Sequence, residues 1–288
     1  MIIDSGANTQ SKVAEVQKDN LPDLAPGVVA LFGEPGTMKS TFACTWPKPV
    51  AFYDFDLGSH RVWGIKELVN KGRVRVDLFP LPQHSLTTRH ERLEGFMATW
   101  QRFIKSFAED CVNPAVVTII LDTSTMLWAL IQDAYLEELQ KAQKPGEAMR
   151  KQLLQIEFKE PNARMRSIFS MAKSNRKHLV LVHHETDEYA PLLFQGKPLL
   201  DERGQPRSAP TGKRIPDGFR YTMGLADWQF HVKLIQQGEP EKQTTVGEAN
   251  ILKSPYGIDL VGMRMTGLDS TGLSYMHLRR MLALLGRI

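Results

Sequence analysis

Residues 28–41 read VVALFGEPGTMKST, an apolar run followed by glycines, a lysine and two hydroxyl side chains. The apolar run predicts a strand over Val28–Phe32, and Ser40–Trp46 is compatible with a helix. In a glycine-rich turn between strand and helix, backbone N–H groups point inward and the helix N-terminus adds partial positive charge. Such a loop binds phosphate, with Lys39 reaching the outer phosphates and Ser40 holding Mg²⁺. The predicted nucleotide-binding residues are Gly33, Glu34, Pro35, Gly36, Thr37, Met38, Lys39, Ser40 and Thr41.

One position departs from the pattern G-x-x-x-x-G-K-[ST] of such loops. Met38 stands where the second glycine is expected, and Gly36, preceded by Pro35, supplies backbone freedom two residues earlier. An ordinary strand-turn-helix with an unrelated lysine is the alternative. Because of this departure, the sequence predicts nucleotide binding more firmly than nucleotide hydrolysis.

A second chemical signal is the carboxylate of Asp122. It closes the continuous apolar run Ala115–Leu121, which is typical of a strand buried on both faces of a parallel sheet. A carboxylate at such a strand end orients Mg²⁺, usually through water. The alternative is an aspartate that caps the helix predicted to follow. Because the chain also contains a phosphate-binding loop, metal binding is the better interpretation of Asp122. Ser40 and Asp122 are therefore the predicted metal ligands.

Two further strands end in polar side chains. Pro49–Asp54 predicts a strand that carries Asp54 and Asp56 at its end, and His178–His183 predicts another, followed by His184. Because the carboxyl ends of parallel strands meet at one edge of a sheet, Asp56 and His184 are expected beside the phosphate-binding loop. One of the two aspartates would polarise an attacking water, and a histidine would sense the outermost phosphate. Solvated carboxylates and a locally bonded histidine are the alternatives.

Residues 185–224 contain many Gly, Pro and charged side chains without a clear period, which predicts a long loop. Cations alternate there with aromatic rings, a combination that suits single-stranded nucleic acid. Six acidic side chains offset the charge, so an ordinary solvated loop is the alternative. The predicted DNA-binding residues are Arg203, Arg207, Lys213, Arg214, Phe219, Arg220 and Tyr221.

The 288-residue chain is long enough for a full core, and its formal charge of +4 says little about partners. No apolar run reaches the ~20 residues of a membrane span, and MIIDSGANTQ lacks the features of a signal peptide. Cys44 and Cys111 lack metal-ligand spacing and indicate reduced thiols. We expect a cytoplasmic protein without a membrane partner.

The chain divides into a polar arm at residues 1–26, an α/β core at 27–253 and a helical extension at 254–288. Apolar spacing predicts helices over Leu86–Cys111, Thr123–Gln143, Lys151–Ser174 and Leu273–Leu285, with breaks near Pro145-Gly146 and Glu160-Pro161. Ala226–Ile235 and Thr244–Lys253 predict neighbouring antiparallel strands. The alternation of strands and helices predicts a mainly parallel central sheet flanked by helices, with antiparallel strands at its C-terminal edge.

This order of motifs resembles the RecA-like P-loop ATPases, and within them the small phage-encoded recombination ATPases. VAFYDFD is similar to the family's second strand, which places Asp56 at its catalytic carboxylate, and TIILDTST to its Mg²⁺-binding strand at Asp122. LVLVHH is similar to the strand that ends in the phosphate-sensing residue, here His184. ILKSPYG resembles a strand whose lysine, here Lys253, reaches the nucleotide of a neighbouring subunit. The departures are Met38 for Gly, Asp56 for Glu and His184 for Gln.

The resemblance implies ATP and Mg²⁺ as cofactors, and Lys39, Asp56 and His184 as the catalytic residues. It further implies binding to single-stranded DNA, self-association into a filament or ring, and a host cytoplasm if the chain is phage-encoded. We expect a DNA-dependent ATPase that acts in homologous recombination or strand annealing. A replication-type motor or helicase-loading ATPase and a nucleotide-binding module with little turnover are the alternatives.

Overall fold

A computed structural model describes residues 21–82, 92–144, 146–194, 197–202, 204–238, 243–267 and 272–288. Its centre is an eight-stranded sheet in the order β12-β11-β10-β1-β5-β4-β2-β3. The strands of this sheet are β1 (Val28–Phe32), β2 (Val50–Asp54), β3 (Val74–Leu78), β4 (Thr118–Asp122), β5 (His178–His183), β10 (Trp228–Gln237), β11 (Thr244–Lys253) and β12 (Arg264–Thr266).

Six neighbouring strands, from β10 to β3 in the sheet order, run parallel. β11 is antiparallel to β10, and β12 is antiparallel to β11. The predicted fold class is therefore confirmed: a mainly parallel α/β sheet with antiparallel strands at the C-terminal edge. The four central strands β1, β2, β4 and β5 are buried along their whole length, as their continuous apolar sequences require.

Helices cover both faces of the sheet. They are α1 (Lys39–Ala43), α2 (Ile65–Asn70), α3 (Phe96–Val112), α4 (Ser124–Lys141), α5 (Lys159–Ser174), α6 (Thr222–Leu225) and α7 (Tyr275–Leu284), with 3₁₀ turns at Ser59–Arg61, Gln155–Phe158 and Ile258–Leu260. An aromatic cluster around Phe103 and Phe107 of α3 fills one face. Phe42 of α1 and Leu278 of α7 belong to the core of the other face. No helix in the described parts of the chain is both long and apolar enough to cross a membrane.

Several predicted boundaries were wrong. α1 ends at Ala43, although the sequence predicts a helix to Trp46. The helix predicted over Lys151–Ser174 begins only at Lys159, beside the break expected at Glu160-Pro161, and a 3₁₀ turn at Gln155–Phe158 precedes it. Pro161 lies in the first turn of α5, where its missing N–H costs no hydrogen bond. β3 was not predicted: its sequence VRVDL is short and partly polar, as suits a strand at the sheet edge.

Residues 185–224 are not the loop that the sequence predicts. β6 (Glu185–Pro191) and β9 (Ser208–Pro216) pair antiparallel, and the short strands β7 (Leu193–Phe194) and β8 (Lys197–Pro198) pair between them. We call residues 185–216 the ribbon. Backbone pairing satisfies N–H and C=O groups of its described strands, which is why strands form in a segment without clear side-chain periodicity.

The described residues on either side of the predicted core pack against it. β12 and α7, within the predicted extension at 254–288, join the central sheet and one of the two core faces. Most of the predicted N-terminal arm lies outside the described residues. Of the part that is described, Leu24 is buried and its N–H donates to the Tyr275 hydroxyl at 2.9 Å.

Candidate nucleotide-binding site

The phosphate-binding loop connects β1 to α1 and is held by contacts with its own backbone and with β10. At Gly33, φ is +156°, and a Cβ there would lie 2.0 Å from the carbonyl oxygen of Val232. Only glycine fits so close to the neighbouring strand. The Thr37 hydroxyl donates to the Glu34 carbonyl at 2.8 Å, which closes the turn before the helix.

Met38 has the backbone conformation for which glycine is expected at this position. Its φ of 66° and ψ of 17° lie in the left-handed region, directly before Lys39 at the helix start. The side chain is 42% exposed, and its sulfur is 3.7 Å from the position of a Cβ on Gly247 of β11. The loop therefore keeps its shape at Met38 and bears the conformational cost of a side chain there.

The Lys39 side chain lies at the centre of the loop. It is only 6% exposed, and its ammonium donates to the carbonyls of Gly33 at 2.8 Å and Glu34 at 2.6 Å and to the Thr37 hydroxyl at 3.2 Å. Burial lowers the pKa of this ammonium, while nearby carboxylates, Asp122 first among them, oppose that shift. A cation held at this point can donate to phosphate oxygens that enter the loop.

Ser40 and Asp122 bring two oxygen ligands together beside Lys39. Asp122 is 3% exposed and accepts a hydrogen bond from the Ser40 hydroxyl. Burial raises the pKa of Asp122 to about 7, and Asp56 and Asp54 add to the shift. Among the described residues, no three His, Cys, Asp or Glu side chains cluster as a metal site. The pair suits Mg²⁺, which typically takes one or two protein oxygens and completes its shell with phosphate and water.

Asp54 and Asp56 both lie at the end of β2 but make different contacts. Asp54 is buried and accepts hydrogen bonds from the N–H groups of Gly58 at 3.1 Å and Ser59 at 2.8 Å. Asp56 is exposed, lines the cavity and accepts from the Gly58 N–H at 2.9 Å. Partial desolvation raises the pKa of Asp56. Asp54 therefore orders the turn, and Asp56 is the carboxylate available to a ligand.

The two histidines at the end of β5, His183 within the strand and His184 after it, also differ. His183 is buried, its Nδ1 is 2.9 Å from the Asp217 carbonyl oxygen, and burial lowers its pKa to about 4. His184 lines the cavity, and its backbone N–H donates to the Thr125 hydroxyl at 3.1 Å. Of the two, His184 is positioned to meet a ligand.

The phosphate-binding loop and the strand ends enclose a cavity of about 390 Å³, which contains Lys39, Ser40, Asp56, Asp122 and His184 among its lining residues. Five site residues predicted from four separate strand ends thus meet in one cavity. The lining residues missed in the sequence include Arg61 and Trp63. They follow Asp56 in an irregular segment, and only their closeness to the strand end could have indicated them.

A family model described as an AAA domain matches residues 25–193, more than half of the chain. The chain belongs to the AAA domain family. The predicted resemblance is confirmed at this level, that of an AAA-type P-loop ATPase domain that binds nucleotide. No curated protein matches the sequence. Among solved structures, a KaiC-like protein from the archaeon Pyrococcus horikoshii OT3 is 13% identical, with a TM-score of 0.44 over 87% of this chain and 89% of that one.

Lys253 lies far from the cavity of this AAA domain. It pairs with Gln229 near the start of β10, whereas the phosphate-binding loop lies at the other end of the parallel strands. Its ammonium donates to the carbonyl oxygens of Ala226 at 2.6 Å and Gly224 at 3.1 Å, at the end of α6. Lys253 is therefore not part of the nucleotide site of its own chain. Its predicted contact with a neighbouring subunit's nucleotide stays a prediction.

The predicted DNA-binding residues, which lie beyond the stretch that matches the AAA domain, have different surroundings in the described structure. Phe219 is 2% exposed and packs against Trp128 and Phe169, so the prediction that it stacks on bases is wrong. Arg214 is engaged on the ribbon by Glu185 at 3.2 Å and Asp187 at 3.0 Å. Arg203 lies outside the described residues. The remaining members, all at least partly exposed, are Arg207, Lys213, Arg220 and Tyr221.

Tyr221 is in contact with two guanidinium groups. The Arg166 and Arg220 groups lie 4.8 Å and 4.6 Å from the centre of its ring, and Arg220 also donates to its hydroxyl at 2.5 Å. Neither arginine pairs with a carboxylate among the described residues. This cation–aromatic group is the part of the predicted DNA surface that retains both charge and a ring.

Proposed function

We propose that this AAA domain protein is a Mg²⁺-dependent ATPase that acts on single-stranded DNA in homologous recombination or strand annealing. The ATPase part of the proposal rests on one observation. A single cavity is lined by Lys39, the Ser40–Asp122 pair, Asp56 and His184. These side chains supply a cation for phosphate, oxygens for a metal, a carboxylate for water and a polar group for the terminal phosphate.

Each side chain has a role in the proposed reaction. Lys39 donates to the outer phosphates, and Ser40 and Asp122 would hold Mg²⁺, which would neutralise phosphate charge. Asp56 accepts a hydrogen bond from the attacking water and aligns it with the terminal phosphorus. The water oxygen bonds to that phosphorus as the bond from the phosphorus to the bridging oxygen breaks. The proton released from the water passes through Asp56 to the phosphate, and ADP and inorganic phosphate leave. His184 donates to the terminal phosphate and reports its loss to the ribbon, which begins at the next residue.

A second cavity, of about 490 Å³, supports a nucleotide rather than a bare phosphate as the ligand. Trp63 and Thr41 line both cavities, and Leu68, Tyr275 and Met276 add apolar walls to the second. The Trp63 side chain is 63% exposed. We expect the purine ring to stack on it, since flat rings prefer such offset contacts.

The DNA part of the proposal is supported by the Arg166–Tyr221–Arg220 group and by Arg207 and Lys213, which are exposed on the ribbon. Cations and rings of this kind bind the backbone and bases of single strands without reading sequence. Self-association into a filament or ring, a phage origin and a cytoplasmic location belong to the same proposal.

Phosphate release with and without Mg²⁺ and a single-stranded oligonucleotide tests the proposal. We expect turnover that requires Mg²⁺ and rises with DNA, and we expect Lys39→Ala to abolish it. Lys66→Ala, an exposed lysine on α2, is the matched control and should behave like the wild type. Normal ATP affinity and turnover in a folded Lys39→Ala variant would refute the nucleotide site.

The DNA arm of the experiment separates the alternatives. Stimulation without duplex unwinding supports a role in recombination, whereas unwinding supports a replication-type motor. Nucleotide binding without turnover supports a binding module. Failure to bind single strands at low salt, with or without an ATP analogue, would remove the recombination role and leave the ATP site intact.

A further inference from the structure

Arg61 lies on a turn whose backbone is held in place from inside the protein. The 3₁₀ turn Ser59–Arg61 follows β2, and the buried Asp54 carboxylate accepts the N–H groups at the start of this turn. The Arg61 N–H donates to the Gly58 carbonyl at 3.0 Å, and the next residue, Val62, is buried. Because the turn is anchored at both ends, the Arg61 side chain starts from a defined position on the cavity wall.

The guanidinium group of Arg61 lies beside the carboxylate proposed to orient the water. A Cβ on Gly58 would be 2.9 Å from Arg61 Nη2 and 2.7 Å from Asp56 Oδ1, so both groups approach the same point. Arg61 lowers the pKa of Asp56 slightly through its charge, against a larger effect of desolvation. Among the described residues Arg61 forms no salt bridge, so its donors are available to a ligand.

The negative charge in the cavity, once a nucleotide is bound, is better balanced by two cations than by one. Lys39 and Arg61 are the basic side chains among the described residues that line it, whereas Asp56 and Asp122 add negative charge. The terminal phosphate brings further negative charge, which phosphoryl transfer spreads over three oxygens. Other candidate cations are engaged elsewhere, Arg214 by two carboxylates and Lys253 by carbonyl groups at the other end of the parallel strands.

We propose that Arg61 is a further catalytic residue, which binds the terminal phosphate of the nucleotide held by its own chain. A guanidinium donates two parallel N–H groups to phosphate, a geometry that lysine lacks. The inference rests on the proposed ATPase function. It adds that the arginine acts within one chain, from a turn that Asp54 positions.

The first test compares affinities, independently of turnover. Arg61→Ala should weaken binding of a non-hydrolysable ATP analogue about tenfold or more and change ADP affinity less than about threefold, because ADP lacks the contacted phosphate. Arg73→Ala, an exposed arginine near the start of β3, is the matched control and should leave both affinities unchanged. Equal losses for the analogue and ADP, or no loss for either, would overturn the proposal.

The second test uses kinetics. Arg61→Ala should lower kcat about 10²-fold or more, and Arg61→Lys should recover only part of the loss. Circular dichroism establishes that both variants fold. Full turnover in Arg61→Ala would overturn the proposal, even if the wild type hydrolyses ATP as proposed.

Mixing two inactive variants tests whether the arginine acts within one chain. Lys39→Ala keeps Arg61 but cannot hold the phosphates, and Arg61→Ala keeps the phosphate-binding loop. A mixture should remain as inactive as its components. Recovered turnover would mean that Arg61 acts on a neighbouring subunit and would overturn the proposal. A wild type that binds the analogue no better than Lys39→Ala would instead refute the nucleotide site.

Discussion

Replacing Asp122 by asparagine is expected to stabilise the protein when Mg²⁺ and nucleotide are absent. The carboxylate is 3% exposed, and its burial raises its pKa to about 7, with Asp56 and Asp54 adding to the effect. The hydrogen bond from Ser40 and the charge of Lys39 oppose the shift without cancelling it. Asparagine keeps the size of the side chain and never ionises.

The sign and the magnitude follow from the two pKa values. A carboxyl with a raised folded pKa contributes stability that is fully present below its unfolded value near 4 and is lost as the pH rises through about 7. Relative to a side chain that never ionises, Asp122 therefore costs about 4 kcal/mol at pH 8, where it is ionised in the folded protein, and about 2 kcal/mol or less at pH 5, where folding protonates it. Asp122→Asn should exceed the wild type by these amounts.

Urea unfolding in EDTA at pH 8 and pH 5 measures both differences. Glu109→Gln, an exposed carboxylate on α3, is the control and should change stability little at either pH. Adding Mg²⁺ and ATP should reduce the difference, since ligand binding stabilises the wild type more than the variant. An Asp122→Asn variant that is less stable than the wild type at pH 8 in EDTA, or whose advantage does not shrink at pH 5, would refute the reasoning.

Three other substitutions test separate features of the site and its surroundings. Met38→Gly should raise stability by about 1 kcal/mol in urea, because glycine adopts the left-handed conformation without strain; a less stable variant would show that the contact with Gly247 dominates. Trp63→Ala should weaken ATP binding about tenfold in calorimetry, and unchanged affinity would place the base elsewhere. Phe219→Ala should lose about 3–5 kcal/mol of stability, as a buried ring does; DNA binding lost at unchanged stability would restore the stacking role.

The candidate nucleotide-binding site at the strand ends could be predicted from sequence because its signals are local. β1 and β5 have the predicted bounds, and Asp122 ends β4, since each strand is an apolar run with a clear end, at Gly33 after β1 and at a polar side chain in β4 and β5. Parallel pairing then brings the strand ends together without further information. Arg61 could not be found in this way. Its position depends on the hydrogen bonds from the following turn to Asp54, which no periodic pattern encodes.

The ribbon was missed because strand formation there does not depend on burying one face. β9 is mostly exposed, and alternation of apolar and polar residues is a signal only where one face is packed against a core. Pairing with β6 holds it instead. β3 was missed for a related reason, since Arg75 and Asp77 interrupt its apolar character and pair with each other at the sheet edge.

Phe219 shows why a partner surface is harder to predict than a phosphate site. Its neighbours Arg220 and Tyr221 suggest an exposed cluster, yet long-range packing against α4 and α5 buries the ring. Phosphate is recognised by backbone groups and a few side chains whose positions follow from one short segment. A surface for DNA depends instead on which side chains remain exposed after the whole chain has folded. Residues distant in sequence decide that exposure: Trp128, which packs on Phe219, lies 91 positions before it. The Arg166–Tyr221–Arg220 group has the same origin, because Arg166 belongs to α5 and meets Tyr221 only in the folded chain.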